Sequence, residues 1–210
     1  NRMTASGLSE NSTPSTILNL TLNKDLENIL ATLKEPYNQS FEQVVQQLHK
    51  AKFVYIAGNR GLYKVAELTE FLFSPLGIPC TSINVENSIQ FQKLTSMQKD
   101  SVLLAFSLPR YSSFTSAAIK YTKKMHGKSI VISDSIFSPD AKLADLSLEV
   151  TVKSHFYVNS YTAIISMVNA IVTAISWQNR QEVVRSLNNL ENVLQFFHSD
   201  NDELGDKEEV

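Results

Sequence analysis

A single cysteine, Cys80, stands in 210 residues, which excludes an intrachain disulfide framework and a cysteine-rich zinc site. The four histidines, His49, His126, His155 and His198, lie far apart without ligand spacing, so no metal site is expected. Glycine and proline number six each, too few for a collagen-like or low-complexity chain. No uninterrupted apolar run approaches the ~20 residues of a membrane helix, so no membrane partner is expected. Residues 1–16 are polar and lack the apolar stretch of a signal peptide, and a cytoplasmic location is expected. There is no Gly-x-x-x-x-Gly-Lys-Ser/Thr loop, and Gly58-Asn59-Arg60-Gly61 lacks the spacing of a dinucleotide fingerprint. No Gly-x-Ser-x-Gly nucleophile elbow occurs either. Nucleotide hydrolysis, dinucleotide redox chemistry and serine-elbow hydrolysis are therefore unsupported, and no cofactor is expected.

What remains is an ordinary globular composition, 43% apolar and 19% charged, with a formal net charge of -2. Six carboxylates and one lysine crowd into residues 199–210. Without that segment, 18 basic residues face 15 acidic ones. A body this near neutrality lacks the basic excess of a dedicated nucleic-acid-binding domain. If the protein controls nucleic acid, another part must touch it.

Residues 1–15 are rich in Ser, Thr and Asn and read as a disordered leader or linker remnant. Residues 16–198 read as one domain, and 199–210 as an acidic disordered tail. Leu22, Leu26, Ile29, Leu30 and Leu33, then Phe41, Val44, Val45 and Leu48, predict two amphipathic helices broken at Pro36. From Phe53 onward, apolar strand runs alternate with helical periodicity. Strands are predicted at 53–57, 80–85, 101–106, 129–133 and 146–151, and helices at 62–73, 88–97 and 112–126. Two long helices close the chain, about 158–177 and then one carrying the stripe Val183, Leu187, Leu190, Leu194 and Phe197. This order predicts a three-layer αβα sandwich around a five-stranded parallel sheet, with added N- and C-terminal helices. The last stripe suits a helix partner, either within the chain or in a second subunit.

Ligands of open parallel sheets bind outside the carboxyl ends of the strands. The loops there are Gly58-Asn59-Arg60-Gly61, Ser107 to Thr115, and Asp134 to Pro139. Two of only five arginines, Arg60 and Arg110, fall in the first two loops. The second loop adds the hydroxyls of Ser107, Ser112, Ser113 and Thr115 and runs into a helix start, which together make a candidate anion cradle suited to phosphate. Ser112 would serve equally as an N-cap, and Arg60 as a surface partner of Glu67 or Glu70. For proton transfer only Glu86 and His155 can be placed near this edge.

The segments FSLPRYSSFTSAA and GKSIVISDSIFSPDAKLADLSLEV carry a resemblance. Through Ser107, Pro109 to Ser112, Ser133 to Ser135, Ser138, Pro139, Ala144 and Asp145, the stretch from about Leu22 to Trp177 resembles a sugar isomerase (SIS) domain. More narrowly, it resembles the C-terminal domain of RpiR-type transcriptional regulators. Two departures stand out. The glycine loop after the first strand has Gly61 and Leu62 where a hydroxyl is usual, and Pro109 and Arg110 replace a serine and a glycine. The resemblance implies the flavodoxin-like SIS fold, a homodimer or higher homo-oligomer, and a phosphorylated sugar as effector. It implies binding at Ser107, Arg110, Tyr111, Ser112, Ser113 and Thr115, at Gly58 to Gly61 with Asn59 and Arg60, at Asp134 and Ser135, and at Ser160, with no catalytic residue. DNA contact would fall to a helix-turn-helix domain, expected to be absent from this chain because roughly twenty residues precede Leu22. The expected function is a non-catalytic sugar-phosphate sensor. The alternatives are a stand-alone phosphosugar isomerase using Glu86 or His155, and an oligomerisation module whose pocket Leu62 fills.

Overall fold

The structure is a computed structural model that describes residues 12–33 and 38–205. Strands β1 (Phe53–Gly58), β2 (Cys80–Asn84), β3 (Ser101–Ser107), β4 (Lys128–Ser133) and β5 (Leu146–Glu149) form one all-parallel sheet in the order β2-β1-β3-β4-β5. The α-helices are α1 (Pro14–Leu33), α2 (Asn38–Lys50), α3 (Gly61–Phe73), α4 (Ser113–Lys124), α5 (Pro139–Leu143), α6 (Thr162–Gln178) and α7 (Arg180–Gly205). The fold is the three-layer α/β sandwich with a five-stranded parallel sheet that the sequence predicts.

Successive strand residues point to opposite faces of a sheet. Val54, Ile56, Val102, Leu104, Phe106, Ile130 and Ile132 enter one core with apolar residues of α2, α3 and α6. Tyr55, Ala57, Leu103, Ala105 and Val131 enter the other with Ala118 and Ile119 of α4 and with Leu94 and Met97. Because both faces are covered, the strand runs carry no polar alternation, and that is what made them visible in the sequence.

Several boundaries differ from expectation. Residues 88–96 form a 3-10 helix, opened by the Asn87 side chain, which accepts from the Ile89 N–H at 3.1 Å. The short α5 has no counterpart in the sequence reading, because five residues cannot show helical periodicity. Helix α1 begins inside the stretch assigned to the leader: Thr13 Oγ1 accepts from the Thr16 N–H at 3.2 Å, and Pro14 occupies the first helical position. Residues 1–11 of that expected leader lie outside the described residues. The α7 backbone continues through Gly205, well into the segment expected to be a disordered tail, since no proline or glycine interrupts it earlier. Residues 206–210 lie outside the described residues.

Helix α1 packs the wrong way round for an amphipathic helix. Its leucines at 18, 22, 26, 30 and 33 are exposed, and its buried residues are Asn28 and Thr32. The polar face bonds the chain that follows β5. Asn28 pairs with both backbone groups of Lys153, its Nδ2 donating to the carbonyl at 2.7 Å and its Oδ1 accepting from the N–H at 3.1 Å. Thr32 Oγ1 accepts from the Thr151 N–H at 2.9 Å, and the Ser160 hydroxyl donates to Asp25.

Candidate functional site

Strand order 2-1-3-4-5 reverses direction between β1 and β3, and open sheets place ligands in the crevice at such a switch point. The two arginine-bearing loops, 59–61 after β1 and 108–112 after β3, both open there. They enclose a cavity of about 70 Å³ lined by Asn59, Arg60, Gly61, Leu62, Leu108, Pro109, Arg110, Asn159 and Tyr161. Pro109 and Asn159 also border a larger cavity of about 630 Å³, whose walls include Lys24, Asp134, Glu149, Lys153 and His155. The small cavity has room for one phosphate group and none for a sugar ring. The large one accommodates a sugar.

The first loop is a tight turn. Leu62 N–H donates to the Asn59 carbonyl at 2.9 Å, and Arg60, at the second position, has φ 48° and ψ -126°. That is the first central residue of a type II′ turn, a conformation dominated by glycine. Arg110, in the second loop, is also left-handed, with φ 69°. Among the described residues, only His126 joins these two arginines as a non-glycine residue at positive φ. A backbone strained at one side chain needs a compensating cause, and such residues cluster at ligand sites.

Arg60 does not pair with Glu67 or Glu70. Its Nε lies 3.8 Å from Glu86, and Asn59 Nδ2 donates to the same carboxylate oxygen at 3.4 Å. Glu67 instead holds Lys64, and Glu70 accepts from the Ser82 N–H. Glu86 is thereby committed to the first loop. His155 stands apart from it, on the wall of the large cavity. Gly58 is required by close approach: a Cβ there would lie 2.4 Å from the Leu62 carbonyl oxygen. As N-cap of α3, Arg60 makes no side-chain cap bond, and the Leu62 and Tyr63 N–H groups donate instead to the Asn59 and Arg60 carbonyls, at 2.9 and 3.2 Å.

The second loop splits into surface and interior parts. Ser112 caps α4, its Oγ accepting from the Phe114 N–H at 3.3 Å, while Arg110 and Ser113 are exposed. Tyr111 donates to Asp134 at 2.9 Å, joining the loop after β3 to the loop after β4. Desolvation, and then that bond to Asp134, push the Tyr111 phenol pKa up to about 12. Ser107 and Thr115 are buried and do not line either cavity. Ser107 shares the strand face of Leu103 and Ala105, and its hydroxyl donates to the fully buried Asp140 of α5. The Ser116 hydroxyl donates to the other oxygen of Asp140. Ser133 donates to the Ser107 carbonyl at 2.7 Å and bonds Ser138 at 2.9 Å. The hydroxyls nearest the end of β3 thus build the loop from below. Ser135 closes its own turn by accepting from the Phe137 N–H, and Ser160 is engaged by Asp25 of α1.

Sequence reasoning missed Asn159, Tyr161, Ser116 and Asp140. Tyr161 and Asn159 reach the cavity from the start of α6, a proximity with no local signal. Strand parity puts Ser107 on the face of Leu103 and Ala105, but its partner there, Asp140, has no local signal. Among the described residues, no group of three or more His, Cys, Asp and Glu could hold a metal ion, and no helix is long and apolar enough to cross a membrane.

The family model of the SIS domain matches residues 47–174. No curated protein matches the chain. Among solved structures, the sugar isomerase domain of an RpiR transcription factor from Sphaerobacter thermophilus superposes with TM-score 0.80 at 22% identity, covering 84% of this chain and 98% of that one. The Vibrio vulnificus NanR protein, complexed with ManNAc-6P, gives TM-score 0.73 at 13% identity, over 86% of this chain and 69% of that one. A putative sugar-phosphate isomerase from Listeria monocytogenes gives 0.71 at 17% identity, over 82% and 97%. At these identities the likeness is one of fold.

Proposed function

From the premise that the chain belongs to the SIS domain family, whose model spans more than half of it, we propose that it is the sugar-phosphate-sensing, non-catalytic effector domain of an RpiR-type transcriptional regulator. The observation that carries this reading is the pair of arginines held at positive φ that line one phosphate-sized cavity. The phosphate sits between Arg60 and Arg110, near the start of α3, where the guanidinium groups and the positive end of the helix dipole both favour an anion. The sugar extends past Pro109 and Asn159 toward Asp134 and His155. Asn59, Gly58 and Gly61 shape the near wall, and Tyr111, Ser112, Ser113 and Asp134 form the rim. Ser107, Thr115, Ser135 and Ser160 act beneath the binding surface by fixing these loops. The RpiR and NanR relatives support a regulatory role.

The domain works as a homodimer in the cytoplasm, and DNA contact belongs to a separate helix-turn-helix domain. The exposed leucine stripes of α1 and α7 supply the apolar surface a dimer needs. Effector binding regulates by favouring one arrangement of the subunits over another.

A thermal-shift panel of hexose, amino-sugar and pentose phosphates tests this. A ligand at a hundredfold excess over its Kd stabilises the folded state by about 2.7 kcal/mol. Arg110→Ala should abolish the shift. No shift from any phosphosugar well above ~1 mM refutes the reading. His155 on the wall of the large cavity favours an isomerase as the second reading. Incubation of the bound phosphosugar in deuterium oxide separates the two: isomerisation through a base exchanges a carbon-bound proton, and a sensor leaves it in place.

A further inference from the structure

Gly61 occupies the third position of the turn, and its own φ is not left-handed, so backbone conformation does not call for glycine there. The residue that does adopt a glycine-favoured conformation is its neighbour, Arg60. What Gly61 provides is space. A Cβ at 61 would stand 2.3 Å from the Tyr161 hydroxyl and 3.1 Å from two carbons of its ring. The phenol has moved into the volume a side chain would take, and it forms a wall of the small cavity between Arg60 and Arg110.

Among the described residues the Tyr161 hydroxyl has no hydrogen-bond partner. Phenol hydroxyls of half-buried tyrosines usually find one. Residues 58–62 contribute no hydroxyl of their own. The cavity therefore has two cations and one O–H without a protein partner, the last admitted by the missing side chain of Gly61.

We propose that Tyr161 is the hydroxyl donor of the anion subsite, hydrogen-bonding a phosphate oxygen held between Arg60 and Arg110, and that Gly61 is there to admit it. The proposal rests on the phosphate-binding reading of this cavity and adds a residue that discriminates among anions by geometry. Desolvation raises the phenol pKa, so the group remains a donor throughout the neutral range.

The test is titration of inorganic phosphate up to ~10 mM by calorimetry, on wild type, Arg110→Ala, Tyr161→Phe, Gly61→Ala and the double variant Gly61→Ala/Tyr161→Phe. Tyr161→Phe should bind about 10- to 100-fold more weakly, the loss expected for one hydrogen bond to a charged acceptor. Its ligand-free melting temperature should not fall, because the hydroxyl has no partner to lose. Gly61→Ala should weaken binding by a similar factor by displacing the phenol. The double variant should bind no worse than the weaker single variant, since both remove one interaction. If Arg110→Ala loses phosphate while Tyr161→Phe keeps wild-type affinity, the proposal for Tyr161 fails and the cavity reading stands. If wild type does not bind phosphate, both fail.

Discussion

Replacing Arg60 by glycine should make the ligand-free protein more stable while weakening its grip on phosphate. At φ 48° and ψ -126°, Arg60 holds a conformation that costs a non-glycine residue about 1–3 kcal/mol. Glycine removes that strain and loses up to about 1 kcal/mol to the greater freedom of the unfolded chain. The side chain lost is exposed, and its contact with Glu86 at 3.8 Å is loose, so the pair is worth no more than ~1 kcal/mol. The net expectation is a gain of about 1 kcal/mol, or a rise of roughly 2–4 °C in Tm for a domain of this size. Arg60→Ala is the necessary companion. It removes the same guanidinium but keeps a Cβ in the strained turn, so its Tm should equal or fall slightly below that of wild type. Differential scanning calorimetry of the three apo proteins reads the difference, and phosphate titration should show both variants weakened. If Arg60→Gly melts below Arg60→Ala, the turn is not strained by its arginine. Residue 60 then carries no strain that a ligand site would have to explain.

Asp140→Ala should leave the Ser107 and Ser116 hydroxyls unpaired in the interior and cost on the order of 3 kcal/mol, read as a lower urea midpoint. An unchanged midpoint would show that this carboxylate does not organise the loop after β3. Charge placed in the leucine stripes, as Leu22→Glu/Leu26→Glu or Leu187→Glu/Leu194→Glu, should yield folded monomers by light scattering, and wild type a dimer. A monomeric wild type removes the dimer. Asp145 gives a pH signature. Desolvation raises its pKa, but hydrogen bonds from the Ser129 hydroxyl and N–H, together with Lys128, outweigh it, and the net pKa lies below the ordinary aspartate value. A carboxylate held low in the fold contributes stability above its unfolded pKa and loses it as pH falls through the folded value, so the effect belongs below about pH 4. Ser129→Ala should flatten stability against pH in that window, and an unchanged slope would contradict the assignment.

The sheet was legible because strands buried on both faces are continuous apolar runs, as FVYIA and SVLLAF are, and turn residues bound them. The edge at which open parallel sheets bind ligands followed from strand direction alone. Side-chain destinations were less accessible. Leu18, Leu22, Leu26 and Leu30 look like a core stripe, yet they face outward, because Asn28 and Thr32 have backbone partners that only the fold supplies. Ser107 looks like a ligand donor in the sequence, yet its hydroxyl donates a hydrogen bond to Asp140, thirty-three residues later. Tyr161 carried no motif at all. Its meaning comes from the missing Cβ of a glycine one hundred residues earlier.

The reversed packing of α1 makes that helix a lever. Asn28 grips both backbone groups of Lys153, and Thr32 holds Thr151, on the stretch that walls the large cavity. That stretch cannot shift toward or away from an occupant without breaking these bonds or carrying the helix along. Because the bonded residues and the exposed leucines belong to one rigid rod, a displacement of the bonded face carries the leucine stripe with it without any intervening core having to repack.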